Sequence, residues 1–258
     1  MNKINHESSV LTYSSPDALD ARGKLFSMMS NYKSTDEEKE RSLGLFMRGA
    51  LLARIFATAE VYKMILDKPG VIFDVGTWRG QTAVLCENFR AIFEPLHFNR
   101  RIIAFDTFEG YKGFSNNDTP TNLHGEGTYS LEGESYADFL ADLLKTHEQC
   151  NAMGHNNGKH SVIKGDCRIE IPRFFDNNPN EIVSLAFLDV NSYDVTLNSV
   201  EHIWERLVPG GVVAFWQLTR PSVPAEGKVY SHNFINKLKH SLKRSEIYPG
   251  LCYMVKEL

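Results

Sequence analysis

The chain has 258 residues, 42% of them hydrophobic and 23% charged, enough apolar content to close the core of one α/β domain with an appendage. Its 28 basic residues against 32 acidic ones leave a net charge of −4 with no basic block, which excludes nucleic acid as the expected partner. Cys86, Cys150, Cys167 and Cys252 lack metal-ligand or disulfide spacing, and no leader-like or membrane-length apolar run is present, so the expectation is a soluble cytoplasmic protein with reduced thiols and no membrane partner.

Residues 1–33 are rich in Ser, Asn and Asp without a sustained period and read as an extended or loosely docked polar arm. Residues 34–68 read as a helical extension. Ser34 or Thr35 with Glu37 or Glu38 three residues on makes a capping box, and Leu43, Phe46, Met47, Ala50, Leu51 and Ile55 follow at helical spacing. One long helix or two short ones should run to about Leu66.

After the turn Lys68-Pro69-Gly70, residues 69–258 alternate strand-like and helix-like text. Val71–Val75 is a short apolar run of the kind that forms a central buried strand. Similar runs recur at Ile102–Phe105, Val162–Lys164, Val183–Asp189 and Val212–Leu218, with amphipathic stretches near 80–94, 135–148 and 194–208. This order predicts a mostly parallel, doubly wound α/β sheet with right-handed crossovers. The ending differs: after a helix near 230–243, Ser245–Tyr248 and Leu251–Lys256 are separated only by Pro249-Gly250 and are expected to pair antiparallel. Tyr111–Gly133, with His124 inside, is too long for an ordinary connection and reads as a lid or substrate loop.

The strongest chemical signal is Asp74-Val75-Gly76-Thr77-Trp78-Arg79-Gly80-Gln81-Thr82, where a buried strand turns into a helix. Gly76 and Gly80 let the backbone approach a ligand, and the helix that follows offers free N–H groups. The glycine spacing is not that of dinucleotide binders, which disfavours a nicotinamide-dependent oxidoreductase. Asp106 ends the next strand, where doubly wound folds place an acid that accepts both ribose hydroxyls. Asp166 after the third strand is either a hydrogen-bond acceptor for an adenine amine or a helix N-cap. Asp189, Asn191 and Tyr193 follow the fourth strand, at the end that faces the ligand crevice.

These residues resemble the class I S-adenosylmethionine-dependent methyltransferases. More narrowly, Gly76-Thr77-Trp78-Arg79-Gly80, Asp106-Thr107-Phe108-Glu109-Gly110 and the Asp-x-Asn-x-Tyr-x-x-Thr run from Asp189 resemble the macrocin O-methyltransferase family over roughly residues 45–258. The resemblance implies a Rossmann-like seven-stranded sheet with an antiparallel C-terminal hairpin, and S-adenosylmethionine as cofactor with S-adenosylhomocysteine as product. It also implies a small-molecule acceptor with a hydroxyl, that of a sugar of a natural product, glycan or nucleotide, as the methylated group, an amine being the lesser alternative. Asp74, Gly76, Thr77, Trp78, Gly80 and Thr82 would shape the cofactor pocket, Asp106 would hold the ribose, Thr107 and Phe108 would flank the base, and Asp166 would contact adenine. Family members often assemble through their N-terminal helices, and the apolar stretch Leu43–Leu66 is broad enough for a homo-oligomer.

The family's second strand-four acid and strand-five acidic pair, which together hold a divalent cation, read Asn191 and Trp216-Gln217 here. Only Asp189 survives as a carboxylate, so no tightly bound metal is expected. Asp189 is then the candidate general base and also borders the cofactor, with His124 the second candidate base. Trp216 is placed at the cleft mouth, packing on an acceptor ring or filling the vacated pocket. The competing reading is a catalytically altered or inactive protein that keeps cofactor binding and serves as a partner of other proteins.

Overall fold

Strands form where β-branched and aromatic residues run together. Val71–Val75 (β1) is buried at every position, and the pleat divides its side chains: Val71, Phe73 and Val75 enter one hydrophobic cluster and Ile72 the other. Ile102–Asp106 (β2), Ser161–Lys164 (β3), Val183–Leu188 (β4), Leu207–Phe215 (β5), His240–Arg244 (β6) and Cys252–Lys256 (β7) complete a seven-stranded sheet in the order β3-β2-β1-β4-β5-β7-β6. The first five strands are parallel, and β7 runs antiparallel between β5 and β6. The doubly wound sheet with an antiparallel C-terminal pair is therefore present. The computed structural model describes residues 15–121, 124–131, 136–151 and 157–258.

Residues up to 54 and residues from 55 onward form two compact units. In the first, Pro16–Ser30 (α1) is helical where composition suggests an extended arm. The Ser15 side chain accepts the Ala18 N–H as N-cap, and Pro16 opens the helix where a missing N–H costs nothing. The remainder of the arm, 1–14, lies outside the described residues. Asp36–Ser42 (α2) starts with the full capping box of Thr35 and Glu38. A 3-10 turn, Leu43–Phe46, follows, and then Gly49–Lys63 (α3), so the extension is broken rather than one long helix.

In the second unit the end of α3, Gln81–Phe93 (α4) and Tyr136–Asn151 (α5) bury apolar side chains against the Ile72 face. Cys167–Asn177 (α6), Tyr193–Arg206 (α7) and Ala225–Val229 (α8), which runs into a π turn at Tyr230–Phe234, cover the opposite face. α6 has no counterpart in the helical stretches read from sequence. It carries Pro172 within it, yet Phe174 and Phe175 pack their rings on Phe73 at 5.3 and 5.5 Å. Tertiary burial offsets the proline's cost.

The C-terminal pair is shifted from its expected place. The helix expected near 230–243 ends at Phe234, β6 occupies His240–Arg244, and Arg244 pairs with Cys252, so the connection is 245–251 rather than a two-residue turn. Ser245 organises it: its N–H bonds the Leu251 carbonyl at 2.9 Å, and its Oγ accepts the Ile247 and Tyr248 N–H groups at 3.2 and 3.0 Å. Ser245→Ala should lower unfolding free energy by about 1–2 kcal/mol in urea titration, since two loop amides lose their acceptor. A change below about 0.5 kcal/mol would show that water replaces the hydroxyl without loss. All four cysteines are free, and among the described residues no single helix is long and apolar enough to cross a membrane.

Candidate active site

Sheet register assembles the site. Val75 of β1 lies beside Phe105 of β2 and Leu188 of β4, and Leu188 lies beside Phe215 of β5. The residues that come next, Gly76, Asp106, Asp189 and Trp216, therefore leave the sheet along one edge. β1 and β4 are neighbours whose following helices cover opposite faces, which opens a crevice between their carboxyl ends.

The turn after β1 is built for close approach. Gly76 has φ +77°, and a Cβ there would lie 2.7 Å from the Asp189 carbonyl oxygen, so the chain after β4 passes where only glycine fits. Asp74 is 3% exposed, and its Oδ2 accepts the Thr77 hydroxyl and the Ala83 N–H, tying the turn to the first turn of α4. Thr82 is likewise buried in that turn. Gly80 caps α4 with φ +81°, against Leu140. Trp78 has φ +49° and is held there by donating its N–H to Asp106 Oδ2 at 2.7 Å, with its ring edge-on to Tyr129 at 5.6 Å.

Asp106 accepts one amide on each oxygen, Phe108 N–H on Oδ1 and Trp78 N–H on Oδ2, both at 2.7 Å. A carboxylate oxygen that accepts one amide can accept a second donor. Burial raises its pKa, the Phe108, Trp78 and Thr107 N–H groups oppose that rise, and the Asp189 charge adds to it. Phe108, φ +58°, is buried against Tyr136, while Thr107 turns its hydroxyl to the Gly110 carbonyl within its own loop. Asp166 resolves as the N-cap of α6, accepting the Arg168 N–H at 2.9 Å. An ion pair with the Arg168 guanidinium at 2.6 Å holds its carboxyl below the usual range. Trp78, Phe108, Tyr129 and Asn191 all adopt positive φ. Backbone strain is thus concentrated in the loops around this crevice, as at ligand-clamping sites elsewhere.

The opposite wall carries the acids. Asp189 Oδ1 accepts Gln217 Nε2–H at 2.6 Å, and the Gln217 backbone N–H donates to Glu226 Oε2 at 2.8 Å. Glu226, from α8, is fully buried, and burial followed by the Asp189 charge pushes its carboxyl well above the usual range. Asp189 is therefore not the only carboxyl here, which corrects the reading from sequence: α8 returns an acid that the strand-five position lacks. His124 is 5% exposed, not a surface bystander, with Nδ1 buried and unbonded among the described residues and its ring between Tyr111 and Tyr129 at 6.4 and 6.2 Å. Burial, and then the Arg220 charge, hold its imidazole below the usual range, with Asp189 opposing. Trp216 is inside the core rather than at the mouth, 3% exposed and stacked on Phe187 at 6.0 Å.

A family model described as a methyltransferase domain matches residues 73–215, more than half of the chain. The chain belongs to this methyltransferase family. The methyltransferase is similar to the crystal structure of CalS11, calicheamicin methyltransferase, at 27% identity and TM-score 0.87 over 95% of this chain and 94% of that one. An apo structure of CalS11, described as a TDP-rhamnose 3'-O-methyltransferase, gives 25% identity and TM-score 0.80 over 95% and 96%. Mycinamicin III 3''-O-methyltransferase of Micromonospora griseorubida is 22% identical over 147 residues, 55% of this chain and 53% of that protein. The chain spans about half the length of that curated relative.

The enzyme is S-adenosylmethionine-dependent, and the carboxylate of Asp106, whose oxygens each accept an amide and can accept a second donor, fits the cofactor's ribose diol. Among the described residues no three His, Cys, Asp or Glu side chains form a group that could hold a metal ion, and where the resemblance implies acids the chain carries Asn191, Trp216 and Gln217.

Proposed function

We propose that this methyltransferase transfers its methyl group to a hydroxyl of a small, sugar-like acceptor, with Asp189 taking the hydroxyl proton. The observation that carries this reading is the placement of Asp189 at the end of β4, across the crevice from Asp106 and beside the buried His124. The relative described as a TDP-rhamnose 3'-O-methyltransferase and the one described as Mycinamicin III 3''-O-methyltransferase support it.

S-adenosylmethionine, when bound, supplies a methyl group already activated on a sulfonium, so what the chain must contribute is alignment and a proton acceptor. Asp106 would fix the ribose. Gly76 and Gly80 would bring the turn backbone close, and Phe108, buried beside Asp106, would border the base. Asp166 is satisfied by Arg168 and would support the wall more than touch adenine. An aliphatic hydroxyl is a weak nucleophile until its proton is shared, and Asp189 would accept that proton as oxygen meets carbon. His124, kept neutral by burial, would accept a hydrogen bond from the same acceptor or take the proton onward.

A panel of TDP-linked deoxysugars and macrolide glycosides, each with a matched amino-sugar analogue, tests the reading by mass spectrometry of the products. Gain of one methyl on a hydroxyl-bearing acceptor is the expected result. Preference for the amine analogues, or no turnover across the panel, would overturn it.

A further inference from the structure

The donors and acceptors beneath Asp189 do not balance. Gln217 gives its backbone N–H to Glu226 Oε2 at 2.8 Å and its side-chain Nε2–H to Asp189 Oδ1 at 2.6 Å. Two acceptors remain, Glu226 Oε1 and Gln217 Oε1, both buried and neither with a hydrogen-bond partner among the described residues. They belong to residues already joined by the bond from the Gln217 backbone N–H to Glu226 Oε2. A fully buried carboxylate oxygen with no donor is among the costliest groups a fold can carry, and one proton removes both deficits at once.

We propose that Glu226 is held as a neutral carboxylic acid whose Oε1–H is given to Gln217 Oε1, locking the amide so that its Nε2–H is aimed at Asp189. The proposal rests on the reading of Asp189 as the base. With the amide locked, Oδ1 of Asp189 is held in one orientation by the Gln217 Nε2–H. Glu226 touches no substrate; it is a positioning residue that acts through Gln217. An ionised Glu226 would leave Gln217 Oε1 facing a second acceptor, and turning the amide over would only move that clash to Asp189 Oδ1.

The ionisable groups that face Glu226 are Asp189 at the end of β4, Tyr111 from the loop after β2 and Cys252 of β7. None brings a positive charge. Burial and the Asp189 charge both favour the protonated form, and only the Gln217 N–H opposes it. The sequence offers no hint of this, because Glu226 sits in Pro224-Ala225-Glu226-Gly227, outside every motif of the cofactor fold.

Two measurements on the whole enzyme, independent of any acceptor, test the proposal. At neutral pH infrared spectroscopy should show a protonated-carboxyl band that shifts in heavy water and is missing from Glu226→Gln. Stability is the second. A carboxyl whose folded pKa is raised contributes fully below its unfolded pKa and loses that contribution as pH climbs toward the folded value. Glu226→Gln keeps a donor and an acceptor but cannot ionise, so its Tm should match or exceed that of the native enzyme, with the gap widening as pH rises. Once an acceptor is in hand, Glu226→Leu should lower kcat by about tenfold through loss of alignment without weakening S-adenosylhomocysteine, and Glu226→Gln should recover much of that loss. Absence of the band, with Glu226→Gln less stable than the native enzyme at neutral pH, would mean an ionised Glu226 and overturn the proposal. A rise in Tm with magnesium that vanishes in Glu226→Gln would assign the two oxygens to a cation and overturn it equally. Failure of hydroxyl methylation would leave the band and the Tm trend untouched, so the two readings fail separately.

Discussion

Asp189→Asn should lower kcat by about two to four orders of magnitude while S-adenosylhomocysteine affinity changes by less than about threefold. The substitution preserves shape, and the asparagine Oδ1 still accepts the Gln217 Nε2–H that Asp189 accepts at 2.6 Å. What is lost is the negative charge that would let this side chain take an alcohol's proton. Because the methyl donor is already activated, proton removal is the part of the chemistry left to the protein, and its loss falls on kcat rather than on binding. His124 provides the contrast. Burial and Arg220 hold it below the ordinary imidazole range, so it is neutral at neutral pH. If His124 were the base, Asp189→Asn would retain most of its turnover, His124→Asn would carry the large loss, and the acid limb of kcat would lie below the usual histidine range. Single-turnover rates of the two variants across pH decide between them.

How much of this was legible beforehand depends on whether a feature is local. β1, β2 and β4 announce themselves because a strand buried on both faces must be apolar at consecutive positions, as Val71–Val75 is. Gly76, Gly80 and Asp106 could be found because a turn at positive φ and an acid at a strand end are demands of short stretches of chain. The capping box of Thr35 and Glu38 is local in the same sense. α6 is legible only through the N-cap alternative at Asp166, because Pro172 interrupts its text and what secures it is Phe174 and Phe175 packing on Phe73, about a hundred positions away. β6 was misplaced because His240–Arg244 reads as an amphipathic, basic segment, and only pairing with Cys252–Lys256 makes it a strand.

Within the site the limit has the same origin. Asp74 and Asp166, cofactor candidates by resemblance, are each engaged by their own neighbourhood, Thr77 and Ala83 for one and Arg168 for the other. Glu226 lies outside every motif, and Trp216 lies deeper than the cleft mouth. The strand-five text shows an indole where acids are expected, yet the indole turns into the core and the missing carboxyl arrives from α8. Composition at one position does not say which element fills the space beside it.

Asp106→Ala should weaken S-adenosylhomocysteine binding by about 1.5–3 kcal/mol, roughly ten- to a hundred-and-fifty-fold by calorimetric titration, the range for hydrogen bonds to a charged acceptor. Two losses combine. The ribose diol forfeits its acceptors, and the Trp78 and Phe108 N–H groups lose the carboxylate that holds both residues at positive φ. The second loss explains why asparagine is not a mild replacement here. Whichever way its amide is turned, its NH2 must face one of those two N–H donors, so Asp106→Asn should bind cofactor no better than the alanine variant, whereas a position contacting only the ribose would tolerate asparagine well. Near-native affinity in Asp106→Asn, with native Tm, would show that the two backbone amides do not depend on the carboxylate. Near-native affinity in Asp106→Ala would place the ribose elsewhere. The comparison therefore separates an acid that binds cofactor from one that first shapes the turn and, through that turn, the pocket.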